Sequence, residues 1–169
     1  MKGHRASLGL FFASALLVFL ADALTKLAVA RSIDPGVSIR VFGDIVRLTH
    51  IKNFGASFGL LPGSTLALIV ISSLAVVIVF VLALNSRDRT GSMVFLGLIM
   101  GGALGNLFDR VRLGGVIDFV DIGWGSVRWP VFNAADVAVT LGVFLLLVQY
   151  LRRGDKAPDP SPDDKWTGA

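Results

Sequence analysis

Asparagine and aspartate stand three residues apart twice in this chain: in Gly105-Asn106-Leu107-Phe108-Asp109-Arg110 and in Phe132-Asn133-Ala134-Ala135-Asp136, each at the edge of a long apolar run. Between them lies Gly115-Val116-Ile117-Asp118-Phe119. A charged side chain at the centre of a bilayer costs roughly 2.5–3.5 kcal/mol on insertion scales, so acids in that setting mark a functional site. Paired carboxylates carry one chemistry unaided. Two close Asp groups cannot both ionise cheaply, so one pKa rises and they share a proton. The ionised partner takes a proton from water, which attacks a peptide carbonyl. The protonated partner donates to the developing oxyanion or, later, to the leaving nitrogen. Spacing alone does not choose the pair: Asp22, Asp109, Asp118 and Asp136 are all candidates.

Composition removes other routes to hydrolysis. With no cysteine, disulfides, thiolate metal sites and cysteine nucleophiles are excluded. His4 and His50 are too few and too far apart for a zinc protease, and no His-Glu-x-x-His occurs. The chain has no Glu, so every acidic role falls to Asp. Neither metal nor cofactor is expected. A hydrophobic content of 54% and a mean hydropathy of +0.73 describe an integral membrane unit rather than a soluble domain. The net charge of +4 reads as Lys and Arg flanking membrane spans, not as a nucleic-acid surface.

Four apolar runs must position these groups: Leu8 to about Ala30, Leu66 to Leu84, Met93 to about Phe108, and about Val131 to Leu151. Each reaches, or nearly reaches, the length that crosses a hydrocarbon core of about 30 Å. The expected fold is an all-α membrane protein of four transmembrane helices with a small extracytoplasmic β-element and a second extracytoplasmic loop. Residues 1–151 form one domain, and 152–169 read as a polar, Pro-rich, disordered tail. Residues 85–91 make a tight polar turn. Alternation in Val37-Ser38-Ile39-Arg40-Val41, the turn signal Gly43-Asp44 and β-branched residues from Ile45 to Ile51 predict a hairpin. Arg110 to Pro130 reads as a second, irregular segment.

Basic residues divide equally between the two sides, but they crowd the helix ends on the side of the termini, which places both termini in the cytoplasm. The start of the chain imitates a cleavable signal with Ala28-Val29-Ala30 as the cut site. Asp22 and Lys26, four apart on one helix face, argue for a retained span in which they pair.

Gly97, Gly101 and Gly105 recur every four residues and suit close helix packing. Asn106 with Asp109, and Asn133 with Asp136, would give two spans matching polar faces, and the amides could orient the carboxylates. Thr140 faces the same way as Asp136 or bonds its own helix. Structural polar glue is the plainer alternative, but four polar groups exceed what packing needs. Arg110 either snorkels or neutralises a carboxylate. Asp121 reads as an ordinary loop acid.

Together these residues resemble the lipoprotein signal peptidase (signal peptidase II) family. The matching stretches are Asp22-Ala23-Leu24-Thr25-Lys26, Asn53-Phe54-Gly55-Ala56-Ser57-Phe58, Gly101 to Arg110, Val116-Ile117-Asp118-Phe119 and Phe132 to Asp136. They stand in family order over most of residues 20–140. The resemblance implies an intramembrane aspartic peptidase of the bacterial cytoplasmic (inner) membrane. It would cut diacylglyceryl-modified prolipoproteins before the lipid-modified cysteine, with a site near the outer face. It maps the catalytic dyad onto Asp118 and Asp136. Supporting residues are Asn106, Asp109, Arg110 and Asn133, with Asn53 as a substrate contact and Asp22 with Lys26 as a first-helix pair. Implied partners are these substrates, membrane lipid and globomycin-type inhibitors, with no nucleic acid and a monomeric state. Ala23 and Ser57 stand where the family often has Gln and Ala, which touches fine substrate contacts only. A proton-coupled transporter and a non-catalytic scaffold are the rival classes. No internal repeat supports the first, and the second leaves the Asn/Asp sets unexplained.

Overall fold

The computed structural model describes residues 2–55, 65–86 and 90–154. Chain order is α1 (Lys2–Ser32), β1 (Ser38–Phe42), β2 (Val46–Asn53), α2 (Thr65–Asn85), α3 (Thr90–Leu113), β3 (Val116–Trp124), β4 (Val127–Arg128) and α4 (Ala134–Gly154). Ala56, Ser57 and Phe58, the centre of the 85–91 turn, and the tail beyond Gly154 lie outside the described residues. All four helices are long and apolar enough to cross a membrane. The shortest span, 19 residues, covers about 29 Å at 1.5 Å per residue.

Two spans differ from their sequence limits. α3 continues through Asp109 and Arg110 to Leu113 instead of stopping near Phe108. Arg110 and Arg112 in its last turn complement the negative end of the helix. Gly114, at φ 72°, then ends it by donating its N–H to Arg110 O at 3.0 Å. α4 starts at Ala134, not Val131, because Phe132 is held in an extended pairing with Val120. It also runs three residues into the segment expected to be tail.

α3 is the central helix, with α1, α2 and α4 packed around it. Glycines permit the approach. A methyl on Gly101 would lie 2.4 Å from Ala15 O of α1, and one on Gly102 would lie 2.5 Å from Ala135 O of α4. Phe11, Ala15, Val79, Ala83, Met93, Leu96 and Met100 form the buried core where α1, α2 and α3 meet.

The hairpin is present, but the second segment is not irregular. β3 and β4 join it in one antiparallel sheet of order β1-β2-β3-β4. The strand was hidden because β3 buries residues on both faces, Asp118 and Asp121 included, which erases the alternation that marks a half-buried strand. Asp121 is accordingly not a loop acid. It is 5% exposed, accepts Arg128 Nε at 2.5 Å and Thr49 Oγ1 at 3.1 Å, and ties three strands together. Arg128 also donates to Asp44 O at 3.0 Å, fastening the β1–β2 turn. There Arg47 hydrogen-bonds the Asp44 carboxylate and holds its pKa below the ordinary value.

A bulge in β2 between Leu48 and Ile51 positions the site. It sets Ile51 opposite Asp118, so Asn53, two residues on, shares the Asp118 face. On the other side of β3, Val120 N donates to Phe132 O at 2.7 Å and Phe132 N to Val120 O at 3.1 Å. That pairing delivers Asn133 to Asp118.

Gly101→Ala is expected to lower the midpoint of thermal unfolding in detergent, by the about 1–3 kcal/mol typical of overpacking. Gly9→Ala, whose added methyl meets nothing within 4 Å, should leave the midpoint unchanged or raise it.

Candidate active site

The polar residues singled out from the sequence converge where α1, α3, the start of α4 and β3 meet. Lys26 is the hub. Only 3% exposed, its ammonium lies 2.7 Å from Asp22 Oδ2, 2.9 Å from Asp109 Oδ2 and 3.0 Å from Asn106 Oδ1. Three donors meet three acceptors, as a buried ammonium requires. The expected Asp22–Lys26 pair is therefore one part of a larger cluster.

Each acceptor reaches a further element. Asp22 Oδ1 accepts the N–H of Ala135 at 2.9 Å, in the first turn of α4. Asp109 Oδ2 accepts the N–H of Ile117 at 3.3 Å, beside Asp118. Asn106 Nδ2 donates to Asp136 Oδ1 at 2.8 Å. Gly105 provides clearance, since a methyl there would lie 2.4 Å from Asp22 Oδ2.

Asn133 is fully buried and is not part of α4. It caps the helix: its Oδ1 accepts the N–H of Asp136 at 3.0 Å, while Asp136 Oδ2 accepts the N–H of Asn133 at 3.1 Å. This reciprocal pair is a capping box with Asp at the third helical position. It satisfies two backbone N–H groups at the helix start, and the helix dipole favours a carboxylate there. Asn133 Nδ2 also donates to Asp118 Oδ1 at 2.7 Å and lies 3.1 Å from Asn106 Oδ1. One residue thus touches both Asp118 and Asp136.

Asp118 is 3% exposed, and its second oxygen accepts Asn53 Nδ2 at 2.9 Å. Burial pushes its carboxyl up from 3.8 to about 6. The Asn53 amide opposes the rise and the Asp136 charge adds to it, while the Asn133 amide and Lys26 oppose it. A buried carboxyl beside a second, half-buried carboxyl with a separate set of donors suits proton exchange. Arg110 donates Nη1 to Asn106 O at 3.4 Å, its buried Nε has no hydrogen-bond partner among the described residues, and its charge acts on Asp136, Asp118 and Asp109.

All nine residues proposed from the sequence are accordingly in this cluster or in contact with it. Asp121 belongs to the sheet instead. Sequence reasoning missed the backbone donors Ala135 N and Ile117 N. Their signal was weak: helix starts and strand starts carry spare N–H groups, but nothing local says which carboxylate will meet them.

Comparison with known proteins gives the family and the fold. The family model of signal peptidase (SPase) II matches residues 14–152. The lipoprotein signal peptidase of Halothermothrix orenii is 44% identical, over 85% of this chain and 96% of its own length. That of Syntrophomonas wolfei is 43% identical, over 86% and 95%. Two solved structures superpose, each described as a bacterial membrane enzyme determined by the in meso method. One has a TM-score of 0.83 at 28% identity, covering 90% of this chain and 94% of that one. The other has a TM-score of 0.75 at 30% identity, covering 85% and 93%.

Lys26→Met leaves Asp22 and Asp109 buried without a counter-charge. Breaking such a pair costs about 3–5 kcal/mol, so folded yield and unfolding midpoint should both fall. Lys26→Arg should not restore them, because a planar guanidinium cannot serve three acceptors converging on a point.

The raised Asp118 pKa has a definite sign. The folded protein holds this proton more tightly than the unfolded chain does. Its contribution is complete below about 3.8 and is lost as pH rises through about 6. The difference amounts to about 3 kcal/mol at most. Wild-type stability should therefore fall between pH 4 and 7 relative to Asp118→Asn, measured by thermal unfolding of both proteins across that range.

Proposed function

This chain belongs to the signal peptidase II family, and on that premise we propose that it is an aspartic endopeptidase that removes the signal peptide from diacylglyceryl-modified prolipoproteins. It cuts just before the lipid-modified cysteine, with Asp118 and Asp136 as the catalytic pair. The observation that carries this reading is Asn133, whose amide donates to Asp118 and whose backbone N–H donates to Asp136. Among the described acids, these two are coupled through one shared residue and are free of any ion pair. Asp22 and Asp109 are committed to Lys26.

Asp118, with its raised pKa, holds the shared proton. Asp136, fixed in the capping box, accepts a proton from the attacking water. Asp118 protonates the developing oxyanion to a gem-diol; as the C–N bond breaks, Asp118 takes back one hydroxyl proton and Asp136 gives its proton to the leaving nitrogen. Asn53, Asn106 and Asn133 orient the carboxylates. Asp22, Lys26 and Asp109 hold the helices that carry them, and Arg110 places positive charge beside both.

The peptidase domain runs through the end of α4 at Gly154, and the Pro-rich segment that follows lies outside it. The protein resides in the bacterial cytoplasmic membrane with both termini in the cytoplasm and the site near the outer face. The sheet and the acid cluster lie at the end of the bundle where α1 and α3 finish and α4 begins, away from the N-terminus of α1, which supports that orientation. The enzyme acts as a monomer on substrates in membrane lipid, and globomycin-type inhibitors occupy the site.

Purified wild type should cleave a diacylglyceryl-modified prolipoprotein, and globomycin should block it. Asp118→Asn and Asp136→Asn should each lose at least about a thousandfold in kcat while remaining folded. Turnover in either variant would remove the dyad assignment. Because the chain has no cysteine, orientation is testable by single substitution. An impermeant maleimide should label Phe42→Cys in intact cells and Asn85→Cys only after the membrane is opened.

A further inference from the structure

Two grooves open from the bundle toward the bilayer. The larger, about 750 Å³ between α1, α2 and α3, is lined by apolar side chains alone, Phe11, Phe19, Phe80 and Phe108 among them. The second, about 570 Å³, runs along one face of α4. It begins at Asp136, passes Thr140 and Leu141 and reaches Phe144, with Trp129 and Phe132 walling its upper end. Asp136, Thr140 and Phe144 recur every four residues and form one stripe.

Thr140 carries the only hydroxyl lining either groove among the described residues. Ser14, Thr25 and Ser86 return their hydroxyls to the carbonyl four residues back, at 2.7, 2.8 and 2.8 Å. Thr140 makes no such bond. A hydroxyl left unbonded in an apolar medium is costly. An acyl chain in the groove would offer it nothing. An extended peptide would, because at bilayer depth every backbone N–H and C=O must find a partner.

We propose that the α4 groove holds the extended part of the signal peptide next to the scissile bond. Thr140 then donates its hydroxyl to a substrate carbonyl one or two residues from that bond. The register follows from geometry: four helical residues at about 1.5 Å each set Thr140 about 6 Å along the axis from Asp136, against about 3.3 Å per residue of extended chain. Leu141, Phe144 and Trp129 face the neighbouring substrate side chains and select apolar ones. The inference rests on the peptidase reading above.

The test compares wild type, Thr140→Val and Thr140→Ser on a diacylglyceryl-modified prolipoprotein, prepared with dioctanoyl and with dipalmitoyl chains. Thr140→Val preserves shape and removes the donor, so KM should rise about 5- to 15-fold with kcat within about 2-fold of wild type. Thr140→Ser should recover most of the loss, and the penalty should be the same for both chain lengths. Unchanged kinetics in Thr140→Val, or an equal loss in Thr140→Ser, overturns the proposal. A penalty confined to the long-chain substrate gives the groove to the acyl chain and overturns it as well. Wild-type turnover with an inert Asp136→Asn keeps the peptidase reading intact whatever Thr140 does. No wild-type turnover removes both.

Discussion

A buried ammonium with all its donors used is the constraint on which the rest of this structure depends. Bringing Lys26 out of water costs several kcal/mol, and the same holds for each carboxylate beside it. The arrangement is tolerable only when it is complete. Completion requires Asp22 from α1 and Asp109 with Asn106 from α3 at one point. Asp22 keeps its other oxygen for Ala135 N, and Asp109 Oδ2 accepts Ile117 N as well as the Lys26 ammonium. The electrostatic requirement of a single side chain thus sets the relative placement of α1, α3, α4 and β3.

That placement also orients the amides. Asn106 must turn its oxygen to Lys26, so its nitrogen faces Asp136. Asn133 must turn its oxygen to the N–H of Asp136, so its nitrogen faces Asp118. An amide flip in either would set oxygen against carboxylate. Directional donors are therefore fixed on both aspartates before anything binds, which is the preorganisation that acid–base chemistry at a carbonyl needs. The glycines of α3 serve the same end. Backbones brought within reach at Gly101, Gly102 and Gly105 leave room for short polar side chains to meet directly.

The sheet does a different task. Its polar interior, built on Asp121, Arg128 and Thr49, joins the hairpin to β3 outside the helices. The bulge in β2 then turns Asn53 onto Asp118. The strand that carries Asp118 gains rigidity from both neighbours, the hairpin on one side and the returning chain at Phe132 on the other.

Much of this was legible in the chain. The four spans, the hairpin and the Asn/Asp clusters follow from local properties: hydropathy over about twenty residues, alternation, turn residues and the cost of charge in hydrocarbon. The pairing of Asp22 with Lys26 followed from helical spacing. What sequence could not provide was partnership across elements. β3 looked irregular because both of its faces are buried, and Asp121 looked like a loop acid because its partner Arg128 lies on the next strand. Spacing alone left four acids as equal candidates, and the family resemblance pointed to Asp118 and Asp136; packing then showed Asp22 and Asp109 committed to one ammonium and Asp118 and Asp136 on the two sides of Asn133. Residue type and spacing determined which groups could do chemistry. Only tertiary structure decided which of them are neutralised and which share a partner, because that depends on distances between elements far apart in the chain.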